Sequence, residues 1–323
     1  MRVKIWGARG SVPSPGPETV RYGGNTSCVQ VTLSDGTLLA LDAGTGIRSM
    51  GLGLAEPARP VHILLTHLHM DHIQGLMFFG PAFDPTSEIV IWGPEAPDAS
   101  LRDRIARYIS APLSPVEVRE LPCHVSFNEA PHSEWKIGPA TIRAASVTHR
   151  GPTLGYRITE GDVSLCYIPD HEPALGADLR DDGPEWISGF ELARGATVLM
   201  HDGQYTSDEY SRRVGWGHSR LADALAFGRR VGAKRLVVFH HDPLHSDDFL
   251  DALQGDAVER WADLGGEPTS LEFAVERREL SVDRLPRSAA SASATPEPRP
   301  ARGGGAARGG GGSAPSRESS RSP

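Results

Sequence analysis

Residues 63–75 read Ile-Leu-Leu-Thr-His-Leu-His-Met-Asp-His-Ile-Gln-Gly, so four side chains of metal-ligating type fall within six positions at one apolar strand end: His67, His69, Asp71 and His72. An extended segment sends side chains two apart to the same side, which puts His67 and His69 on one face. Asp71 and His72 follow in the turn that begins a helix. Such a set can line two adjacent metal positions. Imidazole with carboxylate suits Zn, Fe or Mn, and the thiolate-only preference of softer sites is absent.

Around this strand, short runs rich in Val, Ile and Leu recur between Gly, Pro or Asp. They lie at 2–6, 28–33, 37–42, 61–66, 88–92, 141–147, 164–168, 196–201 and 235–240. Helical periodicity stands out at 100–109, 220–231 and 247–264. Strands bunched in both halves with helices interspersed predict a sandwich of two sheets with outer helices, in one globular domain over residues 1–285. From Pro286 the composition turns to Ser, Ala, Pro, Arg and Gly. Segment 286–323 has too little apolar surface to offset its ordering entropy and is expected to be a disordered tail.

Residues 1–285 hold 27 Lys+Arg against 39 Asp+Glu, a net charge of −12, while 286–323 carry +4. An acidic body argues against a grip on long nucleic acid, which needs many cation–phosphate contacts. A small anionic substrate stays open, because bound metal ions can dominate the local field. Cys28, Cys123 and Cys166 have no C-x-x-C spacing and read as three reduced, buried thiols. No segment approaches the ~20 apolar residues that span a bilayer, and the N-terminal residues lack a leader pattern. The expected setting is the cytoplasm, away from membranes.

The H-x-H-x-D-H pattern of 67–72 resembles the signature of the metallo-β-lactamase superfamily, and further motifs follow in order. Leu39-Ala-Leu-Asp42-Ala-Gly44 is similar to the strand whose Asp braces the metal loop. Val147-Thr-His149, Tyr167-Ile-Pro-Asp170 and Val238-Phe-His240-His241 resemble the later strand-end motifs. The resemblance implies an α/β fold, the αββα sandwich of two mixed sheets flanked by helices, with two divalent metal ions, Zn foremost and Mn or Fe as alternatives. It implies His67, His69 and His149 around one ion, Asp71, His72 and His240 around the other, and Asp170 between them, with Asp42 behind the ligands. His240 is preferred over His241 because it falls where the family's strand-end His does. His62, His124, His132, His171 and His245 match no ligand position and are expected to be ordinary core or surface residues.

Gly217-His218-Ser219, followed by a helix, resembles the His-Ser/Thr loop of ribonuclease Z-like phosphodiesterases. The resemblance implies His218 as general acid and Ser219 as a substrate contact, although Ser also suits the cap of the following helix. Asp202 stands where the family more often has Glu and is expected to support His218. The stretches Trp6-Gly-Ala-Arg9-Gly-Ser-Val-Pro and Arg21-Tyr-Gly-Gly-Asn25-Thr-Ser-Cys resemble a bacterial subgroup near cyclic-nucleotide and phosphoribosyl cyclic phosphodiesterases. Arg9, Arg21 and Asn25 are the substrate contacts that this resemblance suggests.

The resulting expectation is a metal-dependent phosphodiesterase acting on a small phosphodiester, a cyclic nucleotide first, through hydroxide activated by two metals. Relatives of this kind are often homodimers. The alternatives are an acyl hydrolase (lactonase or thioesterase) on the same metals, a ribonuclease Z-like RNA endonuclease, and a non-catalytic nucleotide sensor.

Overall fold

Alternate residues of the central strands enter different cores. Leu39 and Leu41 pack inward between two sheets while Ala40 faces outward to helices; Leu165 and Tyr167 go one way, and Cys166 and Ile168 the other. A strand apolar on both faces is what a layered α/β fold requires. The computed structural model describes residues 1–54, 60–131, 133–177, 179 and 183–283. The Arg/Gly-rich segment 286–323 and His132 lie outside the described residues.

The chain runs β1 (Arg2–Gly7), β2 (Cys28–Thr32), β3 (Leu38–Leu41), α1 (Gly46–Leu52), β4 (Val61–Leu64), α2 (Met70–Ile73), β5 (Glu88–Gly93), α3 (Leu101–Tyr108) and β6 (His124–Glu129). It continues β7 (Trp135–Ile137), β8 (Ala140–Ser146), β9 (Leu154–Glu160), β10 (Val163–Ile168), α4 (Phe190–Ala193), β11 (Val198–Asp202) and α5 (Ser207–Tyr210). The last elements are α6 (Leu221–Arg230), β12 (Leu236–Phe239), α7 (Asp247–Asp263), β13 (Leu271–Phe273) and β14 (Glu279–Ser281).

Two seven-stranded sheets result, ordered β14-β1-β2-β3-β4-β5-β6 and β13-β12-β11-β10-β9-β8-β7. Each is antiparallel over one half and parallel over the other. Val31, Leu41, Ile158, Tyr167, Met200 and Phe239 pack between the sheets. The faces turned away are covered by α1 and α3 on one side and by α4, α6 and α7 on the other. This is the αββα sandwich with two mixed sheets.

Of the strands that sequence reading leaves out, β14, β6, β13 and β7 are the four edges of the two sheets. Edge strands have one hydrogen-bonded neighbour, and three of these four have only three residues. β9 is the fifth, and charged Arg157 and Glu160 break its apolar run.

The parallel pairing aligns strand ends. β3 ends before Asp42, β4 before His67, β10 before Asp170 and β12 before His240, while β11 ends on Asp202. Ligands of open parallel sheets gather beyond such carboxyl ends, and here both sheets deliver theirs to one edge of the sandwich.

Candidate metal centre and active site

Four of the site histidines, His67, His72, His149 and His240, make one hydrogen bond outward through Nδ1, and the other ring nitrogen points inward to the cluster. His72 Nδ1 lies 2.8 Å from Asp42 Oδ2, so Nδ1 carries the proton and Nε2 faces Asp170 Oδ1 at 3.1 Å and Asp71 Oδ2 at 3.3 Å. His240 Nδ1 meets Gln204 Oε1 at 2.9 Å, leaving Nε2 at 3.2 Å from Asp71 Oδ2. His149 Nδ1 donates to the Gly217 carbonyl at 2.6 Å, leaving Nε2 at 3.2 Å from His69 Nδ1. The Thr66 hydroxyl donates to Asp42 and therefore accepts from His67 Nδ1 at 3.0 Å. Fixing the tautomer from the far side of the ring is how proteins orient metal-binding imidazoles.

The inward atoms form two overlapping sets. His67, His69 and His149 bring one ligand atom each within 4.8 Å of one another, and so do Asp71, His72 and His240. Asp170 stands between them. Its Oδ2 is 3.7 Å from His67 Nε2 and 3.6 Å from His149 Nε2, while its Oδ1 faces His72 and His240 at 3.1 and 3.4 Å. His67 Nε2, His72 Nε2 and Asp170 Oδ1 are buried without a hydrogen-bond partner. Unpartnered buried acceptors are costly in a native fold, and a divalent cation satisfies them together. The residues present therefore fit a divalent metal site.

Electrostatics tell the same story. Burial opposes charge on His72, yet Asp170, Asp71 and Asp42 hold its pKa well above the ordinary value. Burial likewise opposes ionisation of Asp170, but His240, His72 and His67 hold it well below the usual carboxylate range. At His67 Asp170 compensates only in part, and burial, with the neighbouring His72, drives the pKa well down. The Asp170 and Asp71 carboxylates thus draw positive charge to this point, which a bound cation would supply in place of a proton on His72.

Asp42 braces this set. It follows β3 at φ 59° and accepts from Thr66 N, Thr66 Oγ1, His72 Nδ1 and Tyr167 Oη. His240 also has a left-handed backbone, at φ 63°, a strained conformation of the kind that concentrates at functional sites. The backbone of the Gly-rich N-terminal stretch closes over it. A Cβ at Gly10 would lie 2.4 Å from His240 Nδ1, and Ser11 N donates to Asp71 Oδ2 at 2.8 Å. Gly10 thus makes room for the His240 ring of the cluster itself. His241 turns away and bonds to the Ala274 carbonyl.

His218 borders both sets. Its ring stacks on His240 at 4.9 Å, and Nδ1 lies 2.8 Å from Asp202 Oδ2. Burial opposes protonation, but Asp202 raises the His218 pKa to about 9. Asp202 is held in turn by His171 N and Gln204 N. Behind it a buried chain runs from Thr148 through Ser188, His171 and His201 to the Asp202 carbonyl.

The four substrate contacts suggested from sequence are each engaged by other groups of the protein. Arg9 is fully buried and bonds to the carbonyls of Gly23, Asp242 and His245, joining the N-terminal loop to the segment after β12. Arg21 pairs with Asp248 and Asp251 on α7. Asn25 bonds to Glu276. Ser219 donates to the His171 carbonyl, and the helix cap is Arg220, without a side-chain bond.

Glu172 is a site residue that sequence reading leaves out. Buried, it accepts from Gly215 N, Gly217 N and Tyr210 Oη and so shapes the loop that presents His218. Tyr167, Gln204 and Thr66 belong with it. Strand alternation places Tyr167 between the sheets, but nothing in the sequence ties Glu172 or Gln204 to the site. Of the remaining histidines, His62 approaches Trp92, His245 pairs with Glu209 and His171 joins the buried chain.

A family model described as a beta-lactamase superfamily domain matches residues 38–241. The chain belongs to the beta-lactamase superfamily. Within this superfamily it is similar to a ribonuclease Z of Natronomonas pharaonis, 26% identical over 313 residues, with 83% of this chain and 94% of the relative covered. Two solved structures share the superfamily fold. The metallo-beta-lactamase fold protein YhfI from Bacillus subtilis aligns with a TM-score of 0.62 at 16% identity, covering 87% of this chain and 99% of that one. A diphosphatase from the PhnP family aligns with a TM-score of 0.60 at 16% identity, covering 87% and 98%. Among the described residues, no helix is long and apolar enough to cross a membrane.

Proposed function

We propose that this superfamily member is a metal-dependent phosphodiesterase for small phosphodiesters, with a cyclic nucleotide as first candidate. The observation that carries the reading is the Asp202–His218 pair, 2.8 Å long, set against the Asp170 carboxylate. An acyl hydrolase has little use for an acid there, whereas a phosphodiester with an alkoxide leaving group needs one. The relative named ribonuclease Z supports phosphoester chemistry.

In this reading His67, His69 and His149 hold one divalent ion and Asp71, His72 and His240 a second, with Asp170 shared and Zn the first candidate. Such ions supply an activated water and neutralise phosphoryl charge. Asp42, Thr66, Gln204 and the Gly217 carbonyl keep the ligand rings in the tautomer that offers the inner nitrogen. His218 enters protonated, because Asp202 stabilises the imidazolium. As the bond from phosphorus to the leaving oxygen breaks, His218 Nε2 gives that oxygen its proton; such acid catalysis is typically worth about 10²–10⁴ in rate. Three free, buried cysteines suit a reducing compartment, and the cytoplasm is the proposed location.

The test is steady-state hydrolysis of bis-p-nitrophenyl phosphate and 3′,5′-cyclic AMP by metal-reconstituted protein beside Asp170→Ala. Turnover that disappears in the variant supports the reading. Bound metal without turnover of either ester rejects it in favour of acyl substrates. The ribonuclease Z name favours a second reading, RNA cleavage, against which the −12 charge of residues 1–285 speaks; cleavage of a precursor tRNA with neither small ester turned over would select it.

A further inference from the structure

Beside His67 and His69 the surface opens into a cavity of about 530 Å³ whose walls carry three arginines: Arg104 and Arg107 from α3, and Arg150 just after His149. That volume is typical of a small-molecule pocket. In so acidic a body, three guanidinium groups meeting next to the metal cluster are unexpected. The other arginines described above are engaged elsewhere: Arg9 by carbonyls and Arg21 by carboxylates.

The arginines of the cavity keep donor capacity in hand. Arg104 gives one Nη to the Pro94 carbonyl, and its Nε is buried with no hydrogen-bond partner. Arg150 donates through Nε to the Gly215 carbonyl at 3.0 Å, which ties its guanidinium to the loop carrying His218. Asp98 is the one carboxylate among the described lining residues; it pairs with Arg107 at 3.8 Å and also acts on Arg104, as Glu129 does from outside the cavity. The cavity is thus net positive and touches the side of the metal site formed by His67 and His69. Planar guanidinium forks match phosphate oxygens in pairs.

We propose that this cavity is a second anion subsite that selects phosphodiesters bearing an additional phosphate, held by Arg104, Arg107 and Arg150 while the reacting phosphorus lies at the His/Asp cluster. The proposal rests on the phosphodiesterase reading above. It makes the arginines specificity residues, so their effect falls on KM rather than on the bond-breaking step.

Thymidine 5′-(p-nitrophenyl phosphate) and its 3′-phosphorylated counterpart carry the same scissile ester and differ by one phosphate. Metal-reconstituted full-length protein is expected to favour the 3′-phosphorylated ester by about tenfold or more in kcat/KM, the effect of one to two charge-assisted hydrogen bonds. In the Arg107→Ala/Arg150→Ala variant the ratio between the two esters is expected to fall to about one, and the corresponding double Lys variant to restore part of it. Both side chains are exposed, so the fold is expected to survive, as thermal unfolding will check. Equal kcat/KM in the wild type, or a preference that survives the double substitution, overturns the subsite.

If neither ester turns over, the phosphodiesterase reading fails by itself, and calorimetry on metal-free protein decides the subsite. Tighter binding of thymidine 3′,5′-bisphosphate than of thymidine 5′-monophosphate, lost in the double variant, sustains it. Equal binding of the two nucleotides overturns it.

Discussion

His218 Nδ1 lies 2.8 Å from Asp202 Oδ2 and 3.8 Å from Asp170 Oδ2, so one imidazole faces both its supporting carboxylate and the carboxylate shared by the two ligand sets. That geometry makes the proton on the opposite nitrogen the one available to a substrate, and it gives Asp202 a measurable role.

Asp202→Asn is expected to lower kcat on 3′,5′-cyclic AMP by about 10²-fold or more, the lower range of general acid catalysis. Bis-p-nitrophenyl phosphate should lose far less, because p-nitrophenolate leaves without a proton. The sign of the pH effect also follows. Asp202 stabilises the imidazolium that raises the His218 pKa to about 9. Without it burial is opposed only by Asp170 and Asp71, so the alkaline limb of the kcat profile moves to lower pH. Equal losses on both substrates, or an unmoved limb, would show that His218 is not the acid.

Gly10→Ala tests the close approach to His240. The added Cβ would sit 2.4 Å from Nδ1, a nitrogen already bonded to Gln204. The ring must move, and the Asp71, His72 and His240 set opens. Metal content measured by atomic emission is expected to drop by about one ion per chain, with loss of the stabilisation that bound metal gives, roughly 2.7 kcal/mol at a hundredfold excess over Kd. Full metal loading in Gly10→Ala would remove His240 from the ligand set.

Glu172→Gln should separate loop order from metal binding. The carboxylate accepts from Gly215 N, Gly217 N and Tyr210 Oη, and an amide group turns one acceptor into a donor facing a donor. A stability loss of about 1–3 kcal/mol is expected from the unsatisfied buried group, with kcat falling while the bound metal is largely retained. Urea unfolding and single-turnover kinetics measure the two effects. Unchanged kcat would mean that the loop holds His218 without this anchor.

His201 sets a predicted acid sensitivity. Burial lowers its pKa to about 4, and its two nitrogens bond to the Asp202 carbonyl and His171. A base with a depressed native pKa binds more protons unfolded, so stability is present above the unfolded pKa near 6.5 and is lost as pH falls towards 4. The loss is about 1.4 kcal/mol per pH unit for this one group. His201→Gln should be less stable at pH 7 and yet show a shallower decline of urea stability between pH 6.5 and 4. A slope equal to wild type would place the acid sensitivity in other groups.

The substrate side of the site was the part least legible in the sequence. Arg9, Arg21 and Asn25 lie near the Gly-rich turns, where a ligand contact is a natural expectation. In the fold those turns admit His240 and Asp71, and Arg9 closes three carbonyls of the surrounding loops. The arginines that do line a cavity at the metal edge, Arg104, Arg107 and Arg150, belong to an ordinary amphipathic helix and a loop. A helix periodicity cannot tell which of its polar residues face solvent and which face a pocket formed by a distant strand end.

What the sequence by itself determined is local and periodic. The alternation in β3, β4, β10, β11 and β12 dictates strands buried on both faces, and the spacing of His67, His69, Asp71 and His72 gathers four ligands through a few bonds of backbone. What only the tertiary structure decided depends on strand order. Pairing β10, β11 and β12 in parallel sets Asp170, Asp202 and His240 at one edge, facing the ends of β3 and β4 in the other sheet. The part played by Glu172 and Gln204 arises there, as does the geometry by which His240 turns inward, His241 turns away and Asp202 meets His218. These residues are brought together by sheet register and sheet packing, which act over distances along the chain that no local pattern encodes.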